Sequence, residues 1–348
     1  MQDDLFGAGA APTPVPPSAR PSKKSAGVQA VAPTAPLLAL AQGLPHTLRM
    51  GVSTWSYPGW DGLVWDGVYD ASTLSRKGLT ALSQHPLMRT VCVDRSFWRP
   101  LSTEQYAQMA AQVPEGFRFV VKCPNVITDA LVRGEEGQGQ QRNSAFLNPS
   151  LAIEQFVVPA LEGLGNKLGV LVYQLSPLPW ELLRQPDQLW QPLNALLATT
   201  RAALVAAPDV IVAVEVRDPL LLQEAFIQVL QSNAATMCLG LHGKMPPIEQ
   251  QLPLLRKLWP TPLVCRWNLN TTFGPFGYTA AQEKHQPFSE IRSPAPHTRN
   301  VLARTIHGIT GAGQAAFVTI SNDAEGCAPL SIQLLAAQLF SLANPSSN

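Results

Sequence analysis

The sequence predicts a TIM-type (β/α)8 barrel behind a disordered, Pro/Ala-rich N-terminal tail. Short apolar or β-branched runs alternate with longer helix-patterned ones eight times, and such alternation implies an all-parallel sheet. Eight strands close into a barrel, at a typical length of ~250 residues or somewhat more. The competing doubly wound open sheet normally carries a Gly-rich phosphate turn after an early strand, and none is present.

The elements follow in order. Residues 1–46 are assigned to the tail, with prolines at 12, 14, 16, 17, 21, 33, 36 and 45. Such a segment buries too little apolar area to offset its ordering entropy. The barrel domain spans 47–345. Its strands are expected at Met50–Trp55, Thr90–Asp94, Arg118–Lys122, Gly169–Gln174, Val210–Val216, Thr236–Leu241, Leu263–Trp267 and Ala316–Ile320. Helices are expected at Ser72–Gln84, Thr103–Gln112, Pro149–Leu164, Gln188–Ala203, Pro219–Gln231, Ile248–Leu258, His297–Thr310 and Pro329–Ala343. Two connections are long: Thr128 to Asn148, and Asn268 to Pro296 with its Gly274-Pro-Phe-Gly-Tyr278 run. Both follow strands, which puts them on the C-terminal face, where barrels keep their functional loops.

Polar residues at the strand ends should converge on that mouth. In order they are Trp55, Asp94, Lys122, Gln174, Glu215 with Arg217, His242, Arg266, and Asn322 with Asp323. Side chains alternate along a strand. Glu215 and Arg217 therefore share a face, Lys122 opposes Phe119 and Val121, and Arg266 opposes Cys265. A charge among such apolar runs must reach the mouth or find a partner inside, because burying it alone is prohibitive. Glu215, Asp94 and Lys122 are the candidate catalytic groups. Trp55, Gln174, Arg217, His242, Arg266 and Asn322 are the candidate substrate contacts. Each has a plainer reading: Glu215–Arg217 as a capping salt bridge, His242 as a hydrogen-bonded mouth residue, and Trp55, Tyr57, Trp60 and Trp65 as aromatic packing over the mouth.

The bulk composition narrows the classes. Net charge is +1, so no global field points to nucleic acid or to a membrane surface, and any anion site must be local. No run approaches the roughly 18 apolar residues of a spanning helix. Met1-Gln-Asp-Asp4 is unlike a secretory signal, and five cysteines without CxxC spacing read as reduced thiols, so a cytoplasmic location is expected. Cys92 and Cys327 could form a nucleophile or metal pair with His242, but no spacing supports it. Asp94, Glu215 and His242 are the carboxylate–imidazole set to weigh for a divalent ion. The neighbouring lysine and arginines oppose it electrostatically, so no metal site is assigned and the cofactor is left unknown.

Five motifs in order resemble the YecE-like family, number seventy-two of the domains of unknown function. They are Met50-Gly-Val-Ser-Thr-Trp-Ser-Tyr-Pro-Gly-Trp60, Phe117-Arg-Phe-Val-Val-Lys-Cys-Pro124 followed by Ile127-Thr128, Leu171-Val-Tyr-Gln-Leu175, Val212-Ala-Val-Glu-Val-Arg217 and Asn322-Asp-Ala-Glu-Gly326. The resemblance spans Leu48 to Ala343 and implies a (β/α) barrel; it implies no particular reaction. This chain departs from the family pattern at several positions. Cys92 and Asp94 stand where the family usually has glutamate and asparagine, Asp129 where it has histidine, and Arg266-Trp-Asn-Leu269 replaces its RxHG strand end.

A separate signal sits at the N-terminus. Gln2-Asp-Asp-Leu5-Phe6 resembles the QxDLF peptide by which bacterial replication and repair proteins dock on the DNA sliding clamp. Leu5 and Phe6 would fill an apolar pocket while Gln2 fixes the register. Three functions compete at this point: a barrel enzyme on a small anionic or sugar-like substrate, a clamp-associated DNA-maintenance factor, and a non-catalytic ligand-binding barrel.

Overall fold

The computed structural model describes residues 27–134 and 139–344. Eight parallel strands close into a barrel: β1 Leu48–Val52, β2 Met88–Val93, β3 Arg118–Lys122, β4 Leu168–Gln174, β5 Ile211–Glu215, β6 Thr236–Leu241, β7 Leu263–Trp267 and β8 Ala316–Ile320. Neighbours around the ring run β1-β8-β7-β6-β5-β4-β3-β2, so β1 pairs with both β8 and β2 and no edge is left open. Among the described residues, no helix is long and apolar enough to cross a membrane.

The tail expectation needs correction over its second half. Residues 27–46 are built into the domain: Val28 is buried, Ala30 bridges Trp65, and Ala35–Gln42 form helix α1. The proline content is misleading here. Pro36 falls in the first turn of α1, where a missing N–H costs nothing, and the Ala/Leu run behind it favours helix. Leu37, Leu40 and Leu44 then pack onto the core, against the helix Ala328–Ala343. Residues 1–26, including Gln2, Leu5 and Phe6, lie outside the described residues.

Strand parity separates two apolar compartments. Odd-numbered Phe119, Val121, Tyr173 and Cys265 face the helices in the large outer core. Cys92, Val120, Val172, Ala213, Cys238, Val264 and Phe317 point inward and fill the barrel. The inward faces end, at the strands' C-terminal side, in Lys122, Gln174, Glu215 and Arg266. The long connections are less loop-like than expected. The first holds an antiparallel hairpin, Leu131–Arg133 with Gly139–Arg142, and the second holds the helix Tyr278–His285.

Candidate functional site

Period-2 alternation in β4, β5 and β7 aims Gln174, Glu215 and Arg266 at one level of the lumen, where Gln174 pairs in register with Glu215. Gly240 is the inward residue beside Arg266. A Cβ there would stand 3.3 Å from Glu215 Oε1, so a side chain at this position would crowd the carboxylate. Glu215 is fully buried, and each of its oxygens meets a different guanidinium: Oε1 forms an ion pair with Arg217 Nη2 at 2.7 Å, and Oε2 accepts from Arg266 Nη1 at 2.6 Å. Gln174 Oε1 accepts from the same two arginines, at 2.9 and 3.1 Å. Arg266 Nη2 donates to Asp94 Oδ1 at 2.7 Å. Arg266 thus crosses the lumen from β7, touching groups carried by β2, β4 and β5.

The electrostatics follow from this geometry. Burial pushes the Glu215 carboxyl up, but Arg217, Arg266 and Lys122 together outweigh it and hold it at about 2. Asp94 is shifted the same way: burial opposes ionisation, and Arg266 and Lys122 overcome it. Unlike Glu215, its side chain keeps 30% exposure, and its Oδ2 has no partner among the described residues. Lys122, the last residue of β3, differs from both arginines. Among the described residues its Nζ makes no hydrogen bond and has no carboxylate oxygen within 4.0 Å; it lies 3.8 Å from the centre of the Phe97 ring. Burial lowers its pKa to about 8, with Asp94 offsetting only part of the effect.

The expected set therefore divides. Asp94, Lys122, Gln174, Glu215, Arg217 and Arg266 come together at the mouth. Trp55, Asn322 and His242 hold other positions. Trp55 lies beyond β1, its indole N–H donating to Ser75 O on the helix Ala71–Leu82 and its ring under Arg95. Asn322 Oδ1 accepts from Trp60 Nε1 and from the backbone of Ala328, which ties the loop after β8 to the final helix. Both residues follow the end of a strand, where alternation no longer dictates direction. His242 accepts at Nδ1 from Lys244 N, which leaves the proton on Nε2, and its ring packs beside Tyr278. Burial and Arg217 keep it neutral, with a pKa near 4. It lines a cavity of about 580 Å³ together with Trp267, Asn270 and Ile248, and none of the clustered charges borders that cavity. Asp323 does not join the ionic group either: its carboxylate meets Ser321, and burial raises it to about 6.

Residues outside the expected set complete the site. Asn268 Nδ2 donates to Glu215 Oε1 at 3.3 Å, and Phe97 supplies the face under Lys122. Asn268 was signalled by its spacing, two residues past Arg266 and so on the same side. Phe97 belongs to a short helix, and nothing in the sequence announces where that helix folds. Tyr57, Trp60 and Trp65 form a packed aromatic stack with Phe288, the plainer of the two readings. All five cysteines are free and buried; burial pushes the Cys92 and Cys327 thiols up, which suits neither to nucleophilic attack. Among the described residues, no three His, Cys, Asp or Glu side chains gather as metal ligands.

The family model described as "Protein of unknown function DUF72" matches residues 49–346. Among solved structures, the chain is similar to a DUF72 family protein from Enterococcus faecalis V583, with 17% identity and a TM-score of 0.53, covering 86% of this chain and 97% of that one. It is also similar to a DUF72 family protein from Thermotoga maritima MSB8, with 15% identity and a TM-score of 0.51, covering 84% and 98%. At such identities these two likenesses speak for the fold alone. No curated protein matches the chain.

Proposed function

We propose, from the premise that the chain belongs to the DUF72 family, that its barrel mouth takes a small anionic or sugar-acid substrate and acts on it as an enzyme. One observation carries the reading. Three cations, Lys122, Arg217 and Arg266, stand against two carboxylates, Asp94 and Glu215, and the unmatched positive charge resides on Lys122. A purely structural network would close its charges, since an uncompensated buried cation is costly. Here the two arginines are matched and the lysine is left for a ligand.

The roles divide by accessibility. Glu215 is enclosed between two guanidinium groups, so it orients them and does not exchange protons with a substrate. Asp94, half-open with one oxygen unengaged, is the group for proton transfer. Arg217, the more exposed arginine, offers charge to the ligand.

Native mass spectrometry of the gently purified chain should show a retained small molecule, and calorimetry should show saturable binding of glyoxylate, phosphate or glucuronate that weakens at least tenfold in Arg217→Ala. Absence of both sinks the reading. Conversion of a bound molecule over time separates an enzyme from a non-catalytic binding barrel, a reading favoured by Cys92 in place of the family glutamate.

A second reading rests on the Gln2–Phe6 peptide: docking of the chain on the DNA sliding clamp. Titration of clamp with the full chain and with a Gln2→Ala, Phe6→Ala variant tests it. Equal affinities remove it.

A further inference from the structure

The unmatched lysine admits a more specific use. We infer that Lys122 is a reactive amine that condenses with the carbonyl carbon of a small carboxylate-bearing aldehyde or ketone, a 2-oxo acid being the simplest example. The inference rests on the anion-site reading above and names its substrate class.

The argument starts from what the lysine lacks. A lysine buried for structural reasons is normally paired, because its ammonium loses hydration and needs a carboxylate in exchange. Two carboxylates stand at this mouth, and both are taken by arginines at 2.6–2.7 Å. Lys122, at 8% exposure, is left with an aromatic face. Among the described residues Nζ makes no hydrogen bond, so the amine is left without a fixed partner. An arginine could fill a merely electrostatic role here, but only an amine can become a nucleophile near neutral pH. Desolvation, reinforced by Arg266 and Arg217, favours the neutral form that attack requires, and the pKa near 8 leaves a useful fraction of it.

Asp94 supplies the proton traffic. Its charge acts on Lys122 more strongly than that of Glu215, and its Oδ2 is unengaged. The neutral amine attacks the carbonyl carbon; the new C–N bond forms as the C=O π pair moves to oxygen. Asp94 passes both amine protons to that oxygen in turn. The first turns the alkoxide into the hydroxyl of a carbinolamine; the second leaves with that hydroxyl as water when the C–O bond breaks and the nitrogen lone pair closes the C=N bond. One amine and one carbonyl give one imine and one water, with no oxidant or reductant consumed. Arg217 meets the substrate carboxylate, which makes an acid a better partner than a neutral carbonyl compound.

Reductive trapping on the full chain decides the matter. The protein is incubated near pH 7.5 with glyoxylate and sodium cyanoborohydride, digested, and mapped by mass spectrometry, with exposed Lys77 as the internal reference. Alkylation of Lys122 is expected to run about tenfold faster than that of Lys77 or more, from its lower pKa and local binding. Arg217→Gln should slow trapping of glyoxylate at Lys122 by a larger factor than trapping of formaldehyde there, because it removes the carboxylate contact as well as its share of the lowering of the Lys122 pKa. Lys122→Arg, checked for folding by near-UV circular dichroism, should abolish the fast site. If glyoxylate binds by calorimetry but Lys122 is labelled no faster than Lys77, the imine falls and the anion site stands. If glyoxylate, phosphate and glucuronate all fail to bind and Lys122 is not selectively labelled, both fall together.

Discussion

At the scale of single residues, Glu215 and Lys122 illustrate opposite ways of placing a charge inside a protein. Glu215 is fully buried and ion-paired with both arginines, with Asn268 alongside. Removing its charge leaves Arg217 without a carboxylate and Arg266 with Asp94 alone in a low-dielectric setting. Glu215→Gln should therefore destabilise the fold by about 3–5 kcal/mol, the typical cost of breaking one side of a buried pair, as read from urea unfolding. Alternation made the inward course of Gln174, Glu215 and Arg266 legible before any coordinates, because a strand has only two sides. It could not say that the arginines close onto Glu215 and Asp94 while the lysine does not. That outcome depends on distances of a few ångströms between side chains from strands that lie far apart in the chain.

Elements that lie in strict alternation were readable; those stabilised only by what they touch were not. β3, β6, β7 and β8 fall where their apolar runs predict. β1 begins and ends earlier than expected, at Leu48 and Val52, which carries Trp55 past the sheet and turns its ring toward a helix. α1 was hidden by its prolines, since local composition argues for a flexible tail while the neighbouring helix supplies the apolar surface that fixes it. A chain beginning at residue 47 should accordingly be less stable than one beginning at residue 27 by at least about 2 kcal/mol in urea. Loss of the buried Val28 alone is worth about that much, and loss of α1 adds to it. Equal stability would show that residues 27–46 merely rest on the barrel.

For the molecule as a whole, the shifted groups predict an acid limb with a definite sign. His242 is held near 4 when folded, below its ordinary value of 6.5, so the unfolded chain takes up that proton first as pH falls. Glu215 is held near 2, below its ordinary 4.5, and the unfolded chain again protonates first. Both linkages therefore erode stability on acidification, His242 between about 6.5 and 4 and Glu215 between about 4.5 and 2. His85 and His285, held near 4 by burial, add to the upper part, and Asp323, raised to about 6, opposes it. His242→Gln should therefore make the decline of urea midpoints between about pH 6.5 and 4 shallower without abolishing it, and should leave the part below about 4 unchanged. A closed ring of parallel strands resists being squashed out of round only as well as its filling does, and Arg266 works as a tie-rod across that filling, bolted to β7 and gripping the opposite wall through Asp94, Gln174 and Glu215. The carboxylate of Asp94 is thereby surveyed from the far side of the ring and not only from the surface segment that carries it. Rim loops other than the one that carries Asp94 should therefore be exchangeable without moving that oxygen.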